Sequence, residues 1–94
     1  MSISEDIKLR HEAVVDTILE SFSHRNMIVT KALSDNETTL DDMFVYATVT
    51  TLEDGYQLYV IDGNQQPLFD DSEYRFETPS AVASAIALCY EKIS

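Results

Sequence analysis

The sequence is short of several things at once, and each shortage excludes something. It has one cysteine, Cys89. That excludes an internal disulfide and fits a reducing cytoplasm. No apolar run approaches the length of a membrane span. The opening MSISEDIKLRHE has no apolar core of the kind a secretory signal needs, so none is expected. No internal repeat or low-complexity tract is visible. Lysine and arginine together number 6, against 17 aspartates and glutamates, for a net charge of −11. A chain so poor in cations repels nucleic acid and membrane surfaces, so neither is an expected partner. Nucleophile, base and orienting group cannot be nominated together, so an enzyme is not expected.

What is present is a hydrophobic content of 45% in 94 residues, enough for one folded domain spanning 1–94. The stretch from Met43 to Asp70 reads as a β-meander. Phe44, Val45, Tyr46, Thr48, Val49 and Thr50 suit a pleated surface, and Tyr56, Tyr59, Val60 and Ile61 repeat that composition. Between them, Glu53 and Asp54 form a type I turn, with Gly55 as a left-handed bulge. This turn predicts Thr50 opposite Leu58, Thr48 opposite Val60 and Tyr46 opposite Asp62 on one side. On the other side it predicts Thr51 opposite Gln57, Val49 opposite Tyr59 and Ala47 opposite Ile61. A one-residue slip would exchange the two faces. In the predicted register, Val45, Ala47, Val49, Tyr59 and Ile61 make the core face. Phe44, Tyr46, Leu58 and Val60 are left on a second, partly apolar face. Asp62-Gly63-Asn64 signals another turn, Pro67 opens a strand at Leu68-Phe69, and Tyr74–Phe76 continues it.

The flanks read mainly as helices. One is predicted over Ile3–Phe22, with a capping box from Ser2 to Glu5 and an apolar stripe of Ile7, Val14, Val15, Ile18, Leu19 and Phe22. His11 lies at the edge of that stripe and reads as a partly buried, hydrogen-bonded side chain rather than a ligand. Met27–Leu33 reads as a strand in preference to a short helix, because Ile28, Val29 and Thr30 are consecutive β-branched residues. Ser34–Asp42 reads as a polar loop. The last helix starts with Thr78 as cap and Pro79 in the first turn, and it buries Val82, Ile86, Cys89 and Ile93. Cys89 reads as a small core hydrophobe. The expected fold is therefore α+β. An antiparallel meander of three or four strands is flanked by an N-terminal and a C-terminal α-helix.

The charge is unevenly spread. From Ala32 to Tyr74 there is no lysine or arginine but ten carboxylates: Asp35, Glu37, Asp41, Asp42, Glu53, Asp54, Asp62, Asp70, Asp71 and Glu73. Most fall in predicted turns. The adjacent pairs among them are too solvated for acid–base work. Asp62–Glu73 partly matches a calcium loop, but Pro67 stands near its centre and a strand leads in, so no metal or cofactor is expected. The order helix, meander, helix is similar to double-stranded RNA-binding domains in topology alone, and the basic residues that phosphate contacts need are missing. The expectation is a soluble cytoplasmic module whose acidic surface docks on a basic protein. In its sharpest form it imitates a nucleic-acid backbone and inhibits a nucleic-acid-binding protein, as phage-encoded inhibitors do. The alternative is an assembly protein whose acidity is incidental. In either case a homodimer through Phe44, Tyr46, Leu58 and Val60 is expected.

Overall fold

A computed structural model describes residues 4–93. The chain runs α1 (Glu5–Ser21), a 3-10 turn (Ser23–Arg25), β1 (Ile28–Ser34), β2 (Glu37–Asp41), β3 (Val45–Leu52), β4 (Gly55–Asp62), β5 (Pro67–Asp70) and α2 (Pro79–Ile93). The strands form one antiparallel meander of five in the order β1-β2-β3-β4-β5. Both helices pack on the same side of it and against each other. The α+β class is as expected, and the sheet has five strands where three or four were expected.

Local chemistry accounts for most boundaries. The predicted cap at Ser2 lies outside the described residues. In the structure Ser4 caps α1, its Oγ accepting from the Ile7 N–H at 3.2 Å. Glu5 and Asp6 sit in the first turn, where the helix dipole favours them. Asn26 adopts the left-handed conformation and swings the chain from the 3-10 turn into β1. Thr78 caps α2 through its hydroxyl, which accepts from the Ala81 N–H at 3.1 Å. Val82, Ile86 and Cys89 are buried as predicted, but Ile93 remains 38% exposed at the helix end.

Two sequence expectations require correction. Ser34–Asp42 is not a polar loop: Ser34 ends β1, Asp35 and Asn36 close a hairpin, and the rest is β2 and the start of its link to β3. Thr38 and Leu40 alternate inward while Glu37, Thr39 and Asp41 face out, so half of a polar-looking segment belongs to the buried side. Asn36 ties this hairpin to β3, its Nδ2 donating to the Thr51 carbonyl at 2.9 Å and its own carbonyl accepting from the Thr51 N–H at 2.8 Å.

The second correction concerns register. Leu52 pairs with Gly55, so the β3–β4 turn contains only Glu53 and Asp54, and no bulge follows. Val49 then faces Leu58, Ala47 faces Val60 and Thr48 faces Tyr59. This is the one-residue slip that exchanges faces. Leu58 and Val60 are buried with Val45, Ala47 and Val49, and Tyr59 and Ile61 turn to the other side. The energetic reason is direct. The predicted register would have put the Gln57 amide on the core face and two aliphatic side chains on the open one. The observed register puts Gln57 outside, where its Nε2 donates to the Ser72 carbonyl at 2.9 Å.

Gly55 is demanded by a crossing rather than by a bulge. Phe76 forms an isolated bridge with Tyr56, exchanging two hydrogen bonds of 2.9 Å. A Cβ on Gly55 would lie 2.6 Å from the Phe76 carbonyl oxygen, and its φ is +141°. Only glycine meets both conditions.

Candidate interaction surface

Antiparallel connections alternate between the two ends of a meander, and this brings distant carboxylates together. The β1–β2 turn carries Asp35 and the β3–β4 turn carries Glu53 and Asp54. The segment after β5, with Asp71 and Glu73, returns to that same end, where Arg75 meets Asp54 at 3.2 Å. Glu37 and Asp70 lie on the helix-free side of the sheet. They line a shallow depression of about 270 Å³ together with Thr50, Gln57 and Ser72. Asp41 and Asp62 belong to the opposite end. There Asp62 Oδ1 accepts from the Asn64 and Gln66 backbone N–H groups at 2.8 and 2.9 Å and shapes the β4–β5 turn.

The acidic end is less uniform than the sequence implies. Lys8, from the first turns of α1, reaches Asp35 at 3.7 Å, and Arg75 reaches Asp54. Both cations lie outside the cation-free stretch and are folded back onto it. Lys31, just before that stretch, pairs with Thr39 and so shares the open face.

Asp42 is not part of any acidic surface. It is 8% exposed, and its Oδ1 accepts from the Phe44 and Val45 N–H groups at 2.9 Å each. Its Oδ2 accepts from the Tyr90 hydroxyl at 2.5 Å. The Arg25 guanidinium sits 3.9 Å from the centre of the Tyr90 ring, and the Phe22 ring lies 5.4 Å from it. Burial pushes the Asp42 carboxyl up. The Tyr90 hydroxyl, the two backbone donors and the Arg25 charge outweigh this and hold it below its ordinary value of 3.8. Burial and the bond to Asp42 raise the Tyr90 phenol. The cluster ties the 3-10 turn, the β2–β3 connection and α2 together, which makes Asp42 structural. Its residue type and the turn-like sequence around it gave no sign of that.

The proposed self-association set also divides. Leu58 and Val60 are in the core, whereas Phe44 is 67% exposed and Tyr46 is half-buried on the open side. The four do not form one patch.

His11 is buried and hydrogen-bonded, as its place at the edge of the α1 stripe led us to expect. Its Nδ1 is 2.8 Å from Thr51 Oγ1 and its Nε2 is 2.7 Å from Thr38 Oγ1. A neutral imidazole donates through one nitrogen and accepts through the other, and a hydroxyl answers either role. Burial lowers the His11 pKa from its ordinary 6.5, and the Glu37 carboxylate partly opposes this. The sign for stability follows from linkage. Above 6.5 the ring is neutral folded or unfolded, and the contribution is complete. As pH falls below 6.5, the unfolded chain takes up a proton that the folded one resists, so stability falls toward the folded pKa. Urea unfolding at pH 7.5 and 5.5 should show this loss in the parent protein and a smaller one in His11→Gln. An equal loss in both would place the titration elsewhere.

No group of three or more metal-ligating side chains occurs among the described residues, and no described helix is long and apolar enough to cross a membrane. Fold and surface together define a two-layer α+β domain with both helices on one side, an open sheet face on the other and an acidic end. Searches of family models, curated proteins and solved structures return no match to this chain.

Proposed function

We propose that the protein is a cytoplasmic, non-enzymatic binding module whose acidic end docks on a basic protein surface. In the sharpest version it imitates the charge of a nucleic-acid backbone and blocks a nucleic-acid-binding protein. The observation supporting this is the convergence of Asp35, Glu53, Asp54, Asp71 and Glu73 from three separate connections onto one end, with Glu37 and Asp70 beside them. Such a field repels nucleic acid and accelerates encounter with cations. Within this reading Asp41 and Asp62 at the far end contribute only through the overall field, and Asp42 not at all.

The test is the variant carrying Glu53→Gln, Asp54→Asn, Asp71→Asn and Glu73→Gln. A set of purified nucleic-acid-binding proteins is the probe, with displacement of duplex DNA from them as the signal. Neutralisation should slow association and flatten its salt dependence, with folding stability changed by no more than about 0.5 kcal/mol per substitution. Displacement indifferent to salt and to these substitutions would leave the acidity as solvation. Tight, salt-sensitive binding of DNA or RNA by the protein itself would also end the proposal. The competing reading, an assembly protein with incidental acidity, draws its support from the open sheet face.

A further inference from the structure

The helix-free face of the sheet carries a charge pattern that selects one partner. Its rows follow from the strand pairing. The middle row begins with Lys31 on β1 and ends with Asp70 on β5, with Thr48 and Tyr59 between them. One neighbouring row holds Asp41, Tyr46 and Ile61. The other holds Glu37, Thr50 and Gln57. Tyr59, on β4 between Thr48 and Asp70, is 42% exposed on this face.

We infer that this face is the contact of a twofold homodimer packed sheet on sheet, with Lys31 of each protomer on Asp70 of the other. Two aligned copies of this face that overlap fully are related by a twofold axis through the middle of the face, running either along the strands or across them. An axis along the strands keeps the rows and reverses the strand order. It lays β1 over β5 and β2 over β4, and it lays β3 over itself. Lys31 then meets Asp70 twice, Glu37 meets the Gln57 amide twice, and the two Tyr46 rings meet at the axis. The one mismatch is Asp41 over Ile61, in the row nearest the sheet's end. An axis across the strands keeps the strands and reverses the rows. It lays Lys31 on Lys31, Asp70 on Asp70 and Glu37 on Asp41, all like charges. Charge therefore selects the first arrangement. Aligned sheets pack within about 30° of each other, which leaves these pairs within reach of long side chains. Pairing edge to edge through β1 is opposed by the register shifts at Val29/Lys31 and Ala32/Ser34, because bulges blunt an edge strand.

The selected axis keeps both acidic ends on the same side of the dimer. Their mutual repulsion opposes association, so the dimer should tighten as salt is added. The inference does not depend on the acidic end having a partner.

Charge reversal tests it on the intact protein, by sedimentation at increasing protein concentration. Lys31→Asp should weaken the dimer by about tenfold or more, since each reversal replaces two ion pairs with two repulsions. Asp70→Lys should weaken it similarly, although it moves the net charge toward zero. General repulsion alone would predict the opposite for that variant. The double reversal, Lys31→Asp with Asp70→Lys, should restore the parent affinity. Both positions are solvent-exposed, and circular dichroism checks that each variant folds. A parent protein that stays monomeric at high micromolar concentration in every salt overturns the inference. So does a dimer indifferent to Asp70→Lys, which is the signature of edge pairing through β1, or a double reversal that fails to rescue.

Discussion

Asp42→Ala is expected to destabilise the protein by about 3–5 kcal/mol, the range for removing one partner from a buried charged network. The substitution leaves the Phe44 and Val45 N–H groups without the oxygen they share, and it removes the carboxylate oxygen to which the Tyr90 hydroxyl donates. It also releases Met43, whose φ of +81° is held between the two aspartate-capped turns of the β2–β3 link. A domain of this size has only about 5–15 kcal/mol in total, so the variant should lie near the edge of folding. Urea titration reads the loss directly. Tyr90→Phe should cost less, because Asp42 keeps both backbone donors. The double variant should cost less than the sum of the singles if the two act as one network. Acid should reach the same site. The Asp42 carboxyl is depressed below 3.8, so its contribution is complete above that value and is lost as pH falls through the folded pKa. A loss below about 1 kcal/mol for Asp42→Ala, the worth of an exposed pair, would mean that the cluster contributes no more than a surface interaction.

The second large effect is expected at Gly55. Gly55→Ala should cost about 2–4 kcal/mol, from a strained φ together with overpacking against backbone. The obstacle is the Phe76 carbonyl oxygen, 2.6 Å from the new Cβ, and that oxygen accepts from the Tyr56 N–H at 2.9 Å. Neither atom can retreat without opening the bridge that fastens the segment before α2 to β4. Gly63 is the internal control. A Cβ there finds its nearest neighbour at 3.8 Å, and its φ lies outside the left-handed range. Gly63→Ala should be neutral or stabilise by up to about 1 kcal/mol through the unfolded state. Thermal unfolding of the two variants, compared at equal pH, should differ by more than about 10 °C. Equal midpoints would mean that the crossing at Phe76 is loose.

What the sequence disclosed depended on how local the signal was. The cap of α2 and the inward stripes of both helices are written within four-residue windows, and they were legible, whereas the cap of α1 is Ser4 and not the expected Ser2. The run Ile28-Val29-Thr30 identified β1. The buried, hydrogen-bonded state of His11 followed from its place on the α1 stripe, but its partners did not, because Thr38 and Thr51 are 27 and 40 residues away. β2 was missed because polarity was weighed ahead of alternation, and Thr38 and Leu40 carried the alternation. The carboxylates between Asp35 and Glu73 could be counted from the sequence. Which of them converge could not, because that depends on which connections share an end of the sheet.

The register of β3 and β4 separates the two levels most clearly. The residues between Leu52 and Tyr56 are compatible with a two-residue turn or with a turn and bulge, and local conformational preference does not decide between them. The decision lies in what each register buries against α1 and α2: Leu58 and Val60, or Gln57 and Tyr59. Sequence alone determined that this chain forms an acidic α+β meander, because side-chain shape, capping and charge act over a few residues. Tertiary packing alone decided that Asp42 is interior, that Lys8 and Arg75 temper the acidic end, and that Tyr59 and Ile61 face outward. Each of these depends on the free energy of removing particular groups from water, and that is set only when distant segments meet.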